Sequence, residues 1–215
     1  MRPSLLIFDC DGVLVDSEPA TNEILRRDFA ARGLVLSERE VIENFVGGTM
    51  AGVGDKARAM GVEIPGGWVD LIYAQMYARL AEGVPLIDGV EDLMDRLDAA
   101  GIPYCVGSNG SLRKMSITLG QQPSLQARLE GRLYSAHALG VAKPEPGLFL
   151  KAAEDFGVDP ARCAVIDDSP TGCIAARRAG MRGLGFAEHD DGARLAAEGA
   201  EVFHRMAEVP GLLGL

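Results

Sequence analysis

The hydrophobic residues of this chain fall into short apolar runs separated by amphipathic stretches. The runs predict strands at residues 5–8, 104–106, 132–135, 163–166, 183–186 and 202–203. The amphipathic stretches between the later runs predict helices at residues 88–100, 112–119, 146–156, 170–179 and 194–199. Strands that alternate with helices, and are apolar along most of their length, are typical of a parallel sheet covered on both faces. The pattern therefore predicts an α/β fold with a doubly wound parallel sheet.

The segment between the first two predicted strands has a different pattern. It contains helical periodicity at residues 22–32 and 68–82, and Ser37 and Glu40 form a capping box that begins another helix. No convincing strand pattern occurs in it, and it is far longer than an ordinary connection. We therefore expect an inserted all-helical domain at residues 17–85, and an α/β core formed by residues 1–16 and 86–215.

Composition narrows the classes of partner. The chain has 215 residues, 47% of them hydrophobic, and a formal net charge of −10. Without a basic stripe, a nucleic acid or an anionic membrane surface is not an expected partner. The sequence has neither a signal-peptide pattern nor a run near the roughly 18 apolar residues of a membrane span. We expect a cytoplasmic protein that is a monomer or a weak homodimer.

The first apolar run ends in two acidic residues and a glycine. Asp9 and Asp11 are two positions apart, so both would face the same side of a continuing strand, and Gly12 allows close approach of the backbone to a ligand. Two neighbouring carboxylates repel each other unless a positive group offsets their charge. A Mg²⁺ ion shared with a phosphate would do so. An ordinary turn after a strand is the alternative for this motif alone.

Three further polar clusters follow later apolar runs: Ser108-Asn109, Lys143, and Asp167-Asp168. Taken singly, each has a simpler explanation as a turn, a solvated lysine or a helix cap. In an open parallel sheet, however, the carboxyl ends of the strands meet at one edge, where ligands bind. Carboxylates, a hydroxyl and an ammonium group at that edge are suited to metal-assisted phosphoryl transfer.

The four clusters, in this order, resemble the motifs of the haloacid dehalogenase-like superfamily, in the subgroup with a helical cap inserted after the first motif. The resemblance extends over nearly the whole chain. It implies a phosphatase in which Asp9 is the nucleophile and Asp11 the general acid and base, while Ser108 and Lys143 assist catalysis. It also implies a small phosphorylated metabolite, such as a sugar or sugar-acid phosphate, as substrate.

The same resemblance assigns the ligands. Phosphate binding is expected from Gly12, Ser108, Asn109 and Lys143, partly through backbone amides. The Mg²⁺ ligands are expected to be Asp9, the Asp11 carbonyl, Asp168, and Asp167 either directly or through water.

Three other functions share parts of this pattern. A dehalogenase is disfavoured, because such enzymes need no Mg²⁺ and lack an acid at the position of Asp11. A sugar phosphomutase of the beta-phosphoglucomutase type is the main alternative, but its cap histidine corresponds here to Thr21, and residues 46–50 lack the basic residues of its cap loop. A non-catalytic phosphate-binding protein would be expected to have lost Asp9 or Asp11.

Overall fold

The computed structural model describes residues 2–45 and 49–215, which form two compact units. One unit comprises the described residues up to Asp16 together with those from Pro85 onward, and the other comprises Ser17–Val84. Pro85, which the sequence pattern placed with the helical segment, lies in the first unit. Its carbonyl accepts the Asp16 N–H at 3.0 Å and so joins the two chain segments of that unit.

The first unit is built on a six-stranded sheet in the order β3-β2-β1-β4-β5-β6, and every neighbouring pair is parallel. The strands are β1 Leu5–Phe8, β2 Tyr104–Ser108, β3 Leu133–Ser135, β4 Cys163–Asp167, β5 Arg182–Phe186 and β6 Glu201–Phe203. All four residues of β1 are fully buried. The predicted doubly wound α/β sheet is confirmed, since strands buried on both faces require helices on both sides.

The second unit consists of helices in the residues that the structure describes. They are α1 Glu18–Ala31, α2 Glu38–Phe45, α3 Met50–Ala59 and α4 Trp68–Glu82. The predicted capping box is present, because Ser37 N–H donates to Glu40 at 2.8 Å and Glu40 N–H donates back to the Ser37 hydroxyl at 3.3 Å. The buried Asp28 carboxylate accepts bonds from the Trp68 indole at 2.7 Å and from Arg32 at 2.8 Å, which ties α1 to α4.

The first unit also contains eight α-helices among the residues that the structure describes. They are α5 Val90–Ala100, α6 Leu112–Leu119, α7 Pro123–Leu129, α8 Ala136–Leu139, α9 Gly147–Asp155, α10 Pro170–Arg178, α11 Ala193–Ala197 and α12 Val209–Leu213. Leu5 and Ile7 of β1 share one buried cluster with Leu148 and Phe149 of α9 and Ala175 of α10. This apolar cluster fixes the helices whose preceding loops carry the polar motifs. None of the described helices combines the length and the apolar character that crossing a membrane would require.

Candidate active site

The site lies where the central strands end. Asp9 directly follows β1, Ser108 is the last residue of β2, and Asp167 is the last residue of β4. Because β1 pairs with β2 on one side and with β4 on the other, Asp9 lies between the ends of its two neighbours. All three residues are buried, with exposed fractions of 7% or less. Parallel pairing thus brings together polar residues from three distant parts of the chain.

Lys143 connects two of these carboxylates. Its Nζ lies 2.9 Å from Asp9 Oδ2 and 2.8 Å from Asp167 Oδ2, and its side chain is 3% exposed. Burial lowers the pKa of Lys143, but the charges of Asp167 and Asp9 outweigh that effect and raise the pKa above its ordinary value. Lys143 is therefore a permanent positive charge within the site.

Asp9 is held at both carboxylate oxygens. Its Oδ1 accepts the Cys10 N–H at 2.7 Å, and its Oδ2 faces Lys143. Burial raises the pKa of Asp9 to about 6. The positive charge of Lys143 lowers this pKa but offsets only part of the increase, and the negative charge of Asp167 raises it further. At neutral pH the group is mostly ionised, with its orientation fixed.

Asp167 is also bound at both oxygens. Oδ2 accepts a hydrogen bond from the Lys143 ammonium group. Oδ1 accepts hydrogen bonds from the backbone N–H of Ser169 at 3.0 Å and from its hydroxyl at 2.6 Å. The Ser169 hydroxyl in turn caps α10 by accepting the Gly172 N–H at 3.1 Å. A methyl group at Gly172 would overlap the Asp167 carboxyl group. Only glycine at this position therefore allows the start of α10 to lie so close to the carboxylate.

The acidic side chains can hold a cation. One carboxylate oxygen each from Asp9, Asp167 and Asp168 lies within 4.8 Å of the others. Gly12, which has a φ of 74°, lies directly against Asp168, because a methyl group there would overlap the Asp168 carboxylate. Oxygen donors of this kind suit a hard divalent cation such as Mg²⁺.

The charges of the site lead to the same conclusion. When ionised, Asp9, Asp11, Asp167 and Asp168 carry four negative charges, whereas Lys143 and a second lysine, Lys114, carry two positive ones. The net charge is therefore −2 with Asp11 ionised and −1 when Asp11 carries the proton of a general acid, and a divalent cation would offset either. The residues present therefore fit the predicted metal.

Lys114 was not among the site residues predicted from the sequence. Its Nζ lies 2.9 Å from Asp11 Oδ1, and the two side chains are 22% and 24% exposed. The sequence signals for Lys114 are its position in the helix after Ser108-Asn109 and its place in a stretch that resembles related phosphatases, but lysines on helices are usually solvated. Its contact with Asp11 depends on how α6 packs beside the turn that follows β1.

Ser108 and Asn109 form a short turn after β2 and a hydrogen bond to the loop that carries Lys143. Gly110 N–H donates to the Ser108 hydroxyl at 3.0 Å. A methyl group at Gly110 would lie 3.3 Å from Ser108 Oγ and 3.7 Å from Asp11 Oδ2, so these two predicted residues converge there. The Asn109 side chain instead accepts the Lys143 N–H at 2.9 Å. Its amide is thus committed to the Lys143 loop, which leaves the backbone of Asn109 for any contact with phosphate.

Comparison with known proteins agrees with this geometry. Residues 3–180 match the model of a hydrolase family described as haloacid dehalogenase-like hydrolase. The chain is 28% identical to the 6-phosphogluconate phosphatase of Escherichia coli K12 over 212 residues, covering 98% of this chain and 95% of that protein.

Two solved structures are also similar. A haloacid dehalogenase-like protein of unknown function from Agrobacterium tumefaciens is 34% identical with a TM-score of 0.87, over 98% of this chain and 97% of that one. A family hydrolase from Deinococcus radiodurans, solved with bound phosphate and sodium, is 32% identical with a TM-score of 0.83, over 99% and 96% of the respective chains. With its parallel sheet and its acidic cluster at the strand ends, this chain belongs to the haloacid dehalogenase-like hydrolase family.

Proposed function

We propose that this protein is a Mg²⁺-dependent phosphatase that hydrolyses a small sugar or sugar-acid phosphate through a phosphorylated Asp9. The observation that carries the proposal is the fixed Asp9 carboxylate, held by the buried Lys143 beside an acidic cluster. The similarity to a 6-phosphogluconate phosphatase supports the substrate class. The phosphate bound to the Deinococcus hydrolase supports the proposal that a phosphoryl group reacts at this site.

Asp9 has the properties of a nucleophile. With a pKa of about 6 it is ionised at neutral pH, and its two hydrogen-bond partners fix its orientation. Its oxygen would form a bond to phosphorus while the bond from phosphorus to the ester oxygen breaks. Lys143, the Ser108 hydroxyl and the backbone amides around Gly12 and Asn109 would stabilise the charge that develops on the phosphoryl oxygens.

Asp11 would act as the acid and then as the base. It would donate its proton to the leaving alcohol oxygen and afterwards accept a proton from the water that attacks the phosphoryl group on Asp9. The second step releases inorganic phosphate and restores the Asp9 carboxylate. The convergence of Asp11 and Ser108 near Gly110 supports these roles.

Mg²⁺ would be held by the Asp9 carboxylate, the Asp11 carbonyl and Asp168. Among the described residues Asp167 accepts three hydrogen bonds, whereas Asp9 has two such contacts, and we propose that Asp167 contacts the metal through water. When bound, the cation would offset the negative charge of the phosphoryl group. We also propose that the helical unit is the cap domain of the family.

The test is phosphate release from a panel of phosphomonoesters that includes 6-phosphogluconate, with Mg²⁺ and with EDTA. We expect turnover that needs Mg²⁺ and is abolished by Asp9→Asn. Asp95→Asn is the matched control, because Asp95 is exposed on α5 and pairs only with Arg128 among the ion pairs of the described residues. It should retain full activity.

The remaining outcomes separate the alternatives. Exchange between sugar-phosphate isomers without phosphate release would establish a mutase instead. Binding of phosphate esters without either reaction would establish a non-catalytic binding protein. Residues 46–48, part of the segment in which the sequence lacks the basic residues of a mutase cap loop, lie outside the described residues.

A further inference from the structure

Asp11 and Lys114 form an ion pair at the edge of the site. Lys114 Nζ lies 2.9 Å from Asp11 Oδ1. The nearby Lys143 ammonium is bound to Asp9 and Asp167. The site thus contains two ammonium groups with separate carboxylate partners, one on a loop and one on α6.

The backbone at Lys114 is fixed by its helix. Ser111 caps α6, and its hydroxyl accepts the Lys114 N–H at 3.1 Å. The Thr118 hydroxyl donates to the Lys114 carbonyl at 3.2 Å. The main chain of Lys114 is therefore held in place, and only its side chain can change the position of the ammonium group.

The pair orients the Asp11 carboxylate. Lys114 binds Oδ1, and the other oxygen, Oδ2, is the one that lies toward Gly110 and Ser108. Because Lys114 holds one oxygen of this partly exposed carboxylate, it restricts rotation of the Asp11 side chain about its χ angles. A charge-assisted hydrogen bond to one oxygen selects a single orientation.

We propose that Lys114 is a positioning residue that holds Asp11 with Oδ2 directed at the leaving-group oxygen. This inference rests on the proposed function, in which Asp11 protonates that oxygen. An ion pair with a purely structural role would make Lys114 equally important for every substrate. A positioning residue is most important where the leaving group needs a proton.

The test compares two esters in Lys114→Met, using kcat/KM, which reports the steps up to departure of the leaving group. 6-Phosphogluconate has a poor alkyl leaving group, whereas the nitrophenolate of 4-nitrophenyl phosphate leaves without a proton. We expect kcat/KM to fall roughly tenfold or more for 6-phosphogluconate and less than about threefold for 4-nitrophenyl phosphate. Lys114→Arg should recover most of the loss, because it restores a donor to Asp11.

Further variants complete the design. Lys151→Met is the matched control, since Lys151 is a partly exposed lysine on α9 that pairs with Glu154 and Asp155. It should leave both rates unchanged. In the double variant Asp11→Asn/Lys114→Met, the loss should not exceed that of Asp11→Asn alone, because Lys114 acts through Asp11. Lys114→Ala, which also lacks a donor, replaces Lys114→Met if thermal unfolding shows that the methionine variant does not fold.

Each other result refutes the inference. Equal losses for both esters would indicate a structural role, and multiplicative losses in the double variant would mean that Lys114 acts on the substrate directly. An active wild type with an unaffected Lys114→Met would refute this inference alone. A wild type inactive toward both esters would refute the proposed function and this inference with it.

Discussion

The side chain of Asn109 is hydrogen-bonded to the main chain of Lys143. Asn109 Oδ1 accepts the Lys143 N–H at 2.9 Å, and Nδ2 donates to the Lys143 carbonyl at 3.4 Å. The end of β2 thereby holds the loop that carries the buried ammonium. Asn109 therefore determines where Lys143 enters the site.

Removing the hydrogen bonds between Asn109 and Lys143 should impair both stability and activity. Asn109→Ala should lower the free energy of unfolding by about 1–2 kcal/mol, because it leaves the Lys143 main-chain groups without their partner. It should also lower kcat for 4-nitrophenyl phosphate by roughly tenfold, a rate change equivalent to about 1.4 kcal/mol. Urea denaturation and steady-state kinetics measure the two effects. Asn44→Ala, which removes one exposed bond to the Glu40 carbonyl, is the control and should affect neither.

Lys143→Met should impair both stability and activity. It would leave the buried Asp9 and Asp167 carboxylates without their shared cation, and breaking a buried pair in this way costs roughly 3–5 kcal/mol. Urea denaturation in EDTA measures the loss, and added Mg²⁺ should recover part of it. Unchanged stability in EDTA would mean that water already screens these carboxylates.

Asp9→Asn should change how stability depends on pH. The pKa of Asp9 is raised from 3.8 to about 6, so the folded state binds more protons than the unfolded state between these two values. Ionisation of Asp9 therefore makes the metal-free protein less stable as pH rises through this window, and the loss is complete above about pH 6.

The asparagine variant lacks this ionisation. Its stability relative to the wild type should increase by on the order of 2–3 kcal/mol from pH 4 to pH 6.5 and then level off. Denaturation curves of both proteins in EDTA across this range provide the check, and the difference between them cancels the contributions of other carboxylates. Parallel curves would contradict the raised pKa.

Gly172→Ala should be destabilising although alanine favours helices. The added methyl group would overlap the Asp167 carboxyl group and displace it from Lys143 and Ser169. We expect a loss of about 1–3 kcal/mol and a sharp fall in kcat. Thermal unfolding and phosphate release measure these changes.

Gly211→Ala is the matched control for this prediction. Gly211 is also the third residue of a helix, α12, but nothing lies within 4 Å of the added methyl group. The same substitution should stabilise the protein by about 0.4–1 kcal/mol there. Similar effects at both glycines would show that the contact with Asp167 is unimportant.

Much of the fold could be predicted from local patterns. The predicted bounds of α6 agree with the structure, and the apolar runs identified the strands. Helix α3 was missed because its two glycines, Gly52 and Gly54, resemble breaks between elements. The structure gives the reason for one of them: Gly54 packs against the Trp68 ring, where a methyl group would lie 3.2 Å away. Helices α7 and α8 were missed because seven and four residues contain too few turns for a clear period.

The sequence by itself determined which chemical groups stand at the strand ends. An apolar run followed by Asp9 and Asp11, and another followed by Asp167 and Asp168, predict an acidic site, because a parallel sheet gathers the ends of its strands.

Only the tertiary structure decided how these groups pair. Lys143 binds Asp167 across 24 residues and Asn109 across 34, and Lys114 of α6 binds Asp11 beside β1. No periodicity encodes such contacts. They depend on strand order and helix packing, which place the charges within about 3 Å of each other, where hydrogen bonds form.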